Sequence, residues 1–112
     1  MTDRYALAQQ HCKPLKGPMN KLAEAQVSEL IAQLPGWTLI EGQLSKQWAF
    51  KDFEQVISFV NLVAWLAQRE NHHPDVVFGF NRVRVAYSTH DVKGLSMNDF
   101  VCAAKIEALR DL

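Results

Sequence analysis

The amino-acid sequence predicts an α+β fold, a four-stranded antiparallel sheet with helices packed on one face. Three observations carry that prediction. The hydrophobic pattern orders the elements as αββαββα. Each ββ pair is joined by a short polar connection, so it closes as a hairpin and not as a parallel crossover. Finally, 48% of the 112 residues are hydrophobic, enough for one core in a chain of single-domain length.

The first residues stand apart. Cys12-Lys13-Pro14-Leu15-Lys16-Gly17-Pro18 holds two prolines and a glycine, which disfavours regular structure. Residues 1–19 therefore read as an irregular lead-in, with a short helix available to residues 1–10, and residues 20–112 as the domain. A first amphipathic helix is predicted over 21–34, where Leu22, Val27, Leu30, Ile31 and Leu34 share a stripe that Pro35-Gly36 ends. Trp37–Ile40 and Leu44–Phe50 follow, separated by Glu41-Gly42-Gln43. In the second run Leu44, Lys46, Trp48 and Phe50 alternate onto one face, and the aromatic content favours strands.

Asp52 is placed to cap a long helix over 53–69. Phe53, Val56, Ile57, Val60, Val63, Ala64 and Ala67 form one continuous face of it, and Phe59, Leu62, Trp65 and Leu66 add a second stripe. That extra apolar surface means deep burial or a subunit interface; the interface is the favoured reading. A second hairpin pairs Val76–Phe80 with Val83–Ser88 across a turn near Asn81-Arg82, setting Val83, Val85 and Tyr87 against Arg84, Ala86 and Ser88. Ser96 and Asp99 have the spacing of a capping box for the last helix, whose Phe100, Ala103, Ile106 and Leu109 face the core.

Charge narrows the function classes. Twelve Lys and Arg balance twelve Asp and Glu, so the basic excess that phosphate neutralisation requires is missing and direct nucleic-acid binding is not expected. The chain has no run of about 18 apolar residues and no signal-like opening. With only Cys12 and Cys102, near opposite ends, a disulfide framework is not expected either. The expectation is a reduced, cytoplasmic protein.

The chemistry gathers at His72, His73 and His90. Pro74 restricts His73 to extended backbone, outside the preceding helix. If the second hairpin is antiparallel, its first strand begins where its second strand ends, so the three imidazoles can converge. Three histidines are a known zinc set, but adjacent histidines lack the spacing that puts two ligands on one helix face, and neither cysteine is near in sequence. No metal is expected. Acid/base chemistry suits them better, because imidazole titrates near neutral pH and both accepts and donates protons.

Taken together, Glu70-Asn71-His72-His73-Pro74, Ser88-Thr89-His90-Asp91 and Gly94-Leu95-Ser96 with Asp99 resemble the signature of the pterin-4a-carbinolamine dehydratases. The upstream Gly36-Trp37 and Phe50-Lys51-Asp52-Phe53 match as well, and the resemblance covers about residues 20–110. It implies a cofactor-independent lyase that dehydrates 4a-hydroxytetrahydropterin to quinonoid dihydropterin, recycling the pterin of aromatic amino acid hydroxylases. It also implies His72, His73 and His90 as catalytic residues. Asn71, Ser88, Thr89 and Asp91 would help to bind the pterin, and Asp99 would orient a histidine. A homodimer or homotetramer is expected. The mammalian relative also serves as a dimerisation cofactor for a homeodomain transcription factor, so a protein-binding module without catalysis is the alternative. Position 71 departs from relatives that carry Asp there.

Overall fold

The computed structural model describes residues 4–110. Its elements are α1 (Arg4–Gln9), α2 (Glu24–Ile31), β1 (Thr38–Ile40), β2 (Gln43–Ala49), α3 (Phe53–Glu70), β3 (Asp75–Gly79), β4 (Arg82–Tyr87) and α4 (Met97–Arg110), with single 3₁₀ turns at Pro18–Asn20 and His90–Val92. The four strands form one antiparallel sheet in the order β1-β2-β4-β3. The predicted α+β architecture and the order αββαββα from α2 onward are what the chain adopts.

Local chemistry sets the boundaries. The first hairpin turns on Glu41 and Gly42, whose φ angles of 51° and 78° are the two positive values a tight two-residue hairpin turn demands. At the start of α3, Asp52 accepts the Gln55 N–H at 2.9 Å, while the Gln55 side chain accepts the Lys51 N–H at 3.0 Å. The same helix ends on Asn71, left-handed at φ 52°, a conformation that Asn tolerates better than most residues. Helix α2 is shorter than the predicted 21–34 at both ends. It begins after Ala23, whose N–H is held by Gln26 at 2.9 Å. Leu22 lies outside it and donates its N–H to the Leu95 carbonyl at 2.8 Å.

The sheet buries one face under the helices. Leu44 and Trp48 of β2 join Val83, Val85 and Tyr87 of β4 in the core, the row expected from alternation. Lys46 shares that row. Its ammonium donates to Glu107 of α4 at 2.9 Å, and the Trp37 indole N–H reaches the same carboxylate at 3.1 Å, so the inward-facing charge is paired.

Helix α3 is rotated relative to the expected stripe. Its buried residues are Val56, Phe59, Val63, Leu66, Ala67 and Glu70, whereas Phe53 and Ala64 are exposed and Ile57 is half-buried. Phe59 and Leu66, assigned by sequence to the second stripe, are therefore core. The reason lies in the partners: Phe59 packs on Trp48 and Phe50 with ring centroids 4.7 and 5.2 Å apart, which draws that side of the helix onto the sheet. Trp65 remains 53% exposed.

The N-terminal segment is integrated. Helix α1 buries Leu7 completely and lies along α4, where the Lys105 ammonium donates to the Ala8 carbonyl at 2.7 Å. No helix among the described residues is long and apolar enough to cross a membrane.

Candidate functional site

The second hairpin sets the site's framework. Asp75 pairs with Ala86 in the β3–β4 register, so the segment entering β3, His72-His73-Pro74, runs beside the segment leaving β4, Ser88-Thr89-His90. After Asn71 reverses the chain, the His72 N–H returns to the Ala67 carbonyl at 3.2 Å. Its ring stacks on Tyr87, with centroids 5.8 Å apart and planes within 6°. Tyr87 is fully buried, and burial holds its phenol well above the ordinary value, so it presents a neutral face to the imidazole.

Asp99 ties the two segments together. Its Oδ1 lies 2.7 Å from His72 Nε2, and its Oδ2 accepts the Thr89 hydroxyl at 2.8 Å and the Ser96 N–H at 2.9 Å. A carboxylate only accepts, so Nε2 carries the proton and Nδ1 is the nitrogen left for other chemistry. Thr89 has spent its one hydroxyl hydrogen on Asp99; the 2.6 Å contact between Thr89 and Ser96 is then donated by Ser96, which in turn accepts the Asn98 N–H at 3.2 Å. Every proton in this network has one consistent place. Asp99 has no exposure at all and the His72 side chain keeps 12%. The capping box read from the sequence thus performs a second task, because one carboxylate oxygen starts α4 and the other orients a histidine.

Thr89 also borders a cleft of about 990 Å³, lined by Ser88, Thr89 and His90 together with Leu22, Leu39 and Gln43. His90 is exposed and opens the 3₁₀ turn, and the Thr89 N–H bridges the base of that loop by bonding the Gly94 carbonyl at 2.8 Å. Lys21, Lys93, Glu24 and Glu41 also border the cleft, so its charges balance.

The sequence-predicted residues separate into groups. Ser88, Thr89 and His90 line the cleft; His72 reaches its wall through Asp99. His73, Asp91 and Asn71 are exposed, and the conformation of Asn71 serves the helix end. Among the described residues, no hydrogen bond or ring contact joins two of the three imidazoles directly, and no group of three or more His, Cys, Asp or Glu side chains is arranged to hold a metal ion.

Sequence reasoning missed the roles of four residues. Lys21 and Leu22 were assigned to a helix, yet they run extended along the cleft; a Cβ on Gly94 would sit 2.7 Å from Lys21 Cε, so the glycine makes room for that side chain. Tyr87 was read only as core. Glu70, the last residue of α3, accepts the Cys12 N–H at 2.8 Å and pairs with His11 at 3.0 Å. Burial alone would raise its carboxyl, but these hydrogen bonds, with Lys105 nearby, outweigh burial and hold it below the ordinary value.

A family model described as pterin 4 alpha carbinolamine dehydratase matches residues 20–109. The chain is 50% identical to a protein of Xanthomonas campestris pv. campestris (strain 8004), over 99% of the chain and 96% of that protein, which is provisionally named a pterin-4-alpha-carbinolamine dehydratase. A relative with the same provisional name from Stenotrophomonas maltophilia (strain K279a) is 51% identical over 99% of the chain and 97% of its own length. Among solved structures, a transcriptional coactivator/pterin dehydratase from Brucella melitensis superimposes with a TM-score of 0.76 at 32% identity, covering 80% of this chain and 98% of that one. A pterin dehydratase-like protein identified as a RuBisCO assembly factor of the alpha-carboxysome superimposes with a TM-score of 0.54 at 26% identity, covering 65% of this chain and 84% of that one.

Proposed function

The chain belongs to the pterin 4 alpha carbinolamine dehydratase family, and from that membership and the cleft beside Thr89 we propose that it dehydrates a 4a-hydroxytetrahydropterin by histidine acid/base catalysis. The reaction removes the proton from N5 and the hydroxyl from C4a, forms the N5=C4a double bond of the quinonoid dihydropterin and releases water. One imidazole accepts the N5 proton while an imidazolium protonates the departing hydroxyl. His72 and His90 take these roles, interchangeably according to which face of the ring carries the hydroxyl, and His73 holds the pterin. Ser88 and Thr89 in the cleft wall, together with Asn71 and Asp91, help to hold the heterocycle. The product then returns to an aromatic amino acid hydroxylase cycle through a reductase.

The observation that most supports this reading is the His72–Asp99–Thr89 chain. It links a carboxylate-oriented imidazole to the wall of the cleft that His90 lines. A purified sample added to freshly generated 4a-hydroxytetrahydropterin is expected to accelerate the absorbance change of dehydration. An intact sample that leaves the uncatalysed rate unchanged would sink the proposal.

A second reading, a protein-binding role, draws on exposed apolar side chains. Phe53 and Phe78 sit together, ring centroids 6.3 Å apart, and both are nearly half exposed. With Trp65 on α3 they offer surface for a homodimer, a homotetramer or another protein, in line with the coactivator named in the Brucella structure. The zero net charge favours protein over nucleic acid as the partner.

A further inference from the structure

The two cysteines lie near opposite ends of the sequence, yet the fold brings them together. Cys12 Sγ and Cys102 Sγ are 3.3 Å apart across a sequence separation of 90, both as free thiols. Cys102 is completely buried on α4, whereas Cys12 is partly exposed. The segment carrying Cys12 is held by a set of directed bonds. The Cys12 N–H and His11 both go to Glu70; the Lys13 N–H donates to Asn98 at 3.0 Å, and Asn98 returns a bond to the Lys13 carbonyl at 2.7 Å. Glu70 and Asn98 precede Asn71-His72 and Asp99 in the chain, so the segment is moored to both supports of the His72–Asp99 pair.

We infer that Cys12 and Cys102 are a reversible dithiol/disulfide latch that a low-molecular-weight disulfide of the glutathione class closes, locking the N-terminal segment onto α4 behind the site. Disulfides in reducing compartments are usually of this transient kind. The chemistry balances by two exchanges. The Cys12 thiolate attacks one sulfur of the small disulfide, forms a mixed disulfide and expels one thiolate. Cys102 then attacks the Cys12 sulfur, and its proton passes to the second small thiolate as that thiolate departs. Two protein thiols are oxidised to one disulfide, and the small disulfide is reduced to two thiols. The order follows from access, since a glutathione-sized molecule reaches partly exposed Cys12 and not buried Cys102. It also follows from acidity, because the hydrogen bond with Cys12 and burial both push the Cys102 thiol up. The neighbouring sulfur then makes the second step intramolecular. The latch does not depend on which ligand fills the cleft.

The test uses the full chain incubated with excess glutathione disulfide. The expected product is a chain lighter by two hydrogens and not cross-linked to another, with no thiol left for a thiol reagent and a Tm raised on the order of 10 °C, since a cross-link closing so long a loop constrains the unfolded chain strongly. Dithiothreitol reverses all three changes. Trypsin cleavage after Lys16 releases the N-terminal fragment from the oxidised protein only after reduction. Cys12→Ser, a change at a partly exposed position, is expected to show no Tm shift. A stable Cys12–glutathione adduct, a disulfide-linked dimer, thiols that stay unmodified, or an intramolecular disulfide without a Tm rise would each overturn the inference.

Discussion

Asp99 is the residue on which the site's order depends. Fully buried, it accepts from His72, Thr89 and Ser96, and removing one partner from such a set leaves the others unsatisfied. Asp99→Ala is expected to cost about 3–5 kcal/mol in urea unfolding; Thr89→Val, which removes a donor to Asp99 and the acceptor of the Ser96 hydroxyl, costs about 1–3 kcal/mol. A loss below about 1 kcal/mol for Asp99→Ala contradicts the network. Glu70 gives a pH signature. Its folded carboxyl is held below 4.5, its ordinary value, so the unfolded chain binds that proton more readily. The stabilisation is therefore complete above the unfolded value and lost as pH falls through the folded one. In Glu70→Gln this part of the acid destabilisation disappears: its Tm should lie below that of the wild type at neutral pH, and the gap should narrow on acidification below about pH 4. At this scale much was legible. Adjacent histidines before a proline, Ser-Thr-His, and an acidic residue three after Ser96 are local patterns. What each nitrogen bonds is not, because the partners of His72 come from α4 and β4.

Among the elements, α3 is the most informative, because its apolar residues cover more than one side and periodicity alone does not choose which of them faces the sheet. The choice is made by Trp48 and Phe50, which receive Phe59. Phe59→Ala is accordingly expected to cost about 3–5 kcal/mol, as for a buried aromatic, and Phe53→Ala, at a side chain 44% exposed, about 1 kcal/mol or less. Equal losses in chemical denaturation would restore the stripe read from the sequence. The hairpins were legible because alternation and Glu41-Gly42 are short-range signals, and so was the start of α3, where Asp52 performs the expected capping. The start of α2 was misjudged for a physical reason. Lys21 and Leu22 fit a helical stripe, but Leu22 instead bonds Leu95, far along the chain, and forms one wall of the cleft.

Across the whole molecule, the site draws on the N-terminal segment, both hairpins and the turn before α4, so no single stretch of sequence contains it. The α+β order could be read in advance. The joining of Cys12 to Cys102, of Lys21 to Gly94 and of Glu70 to His11 could not, since each spans more than half the chain and leaves no periodic trace. We propose His72 and His90 as the proton-transfer pair. Steady-state dehydration kinetics of His72→Ala and His90→Ala test it most directly. In each variant kcat is expected to fall on the order of 10²–10⁴-fold while KM changes only a few-fold. Unchanged kcat in either variant, or a loss confined to KM, would contradict it.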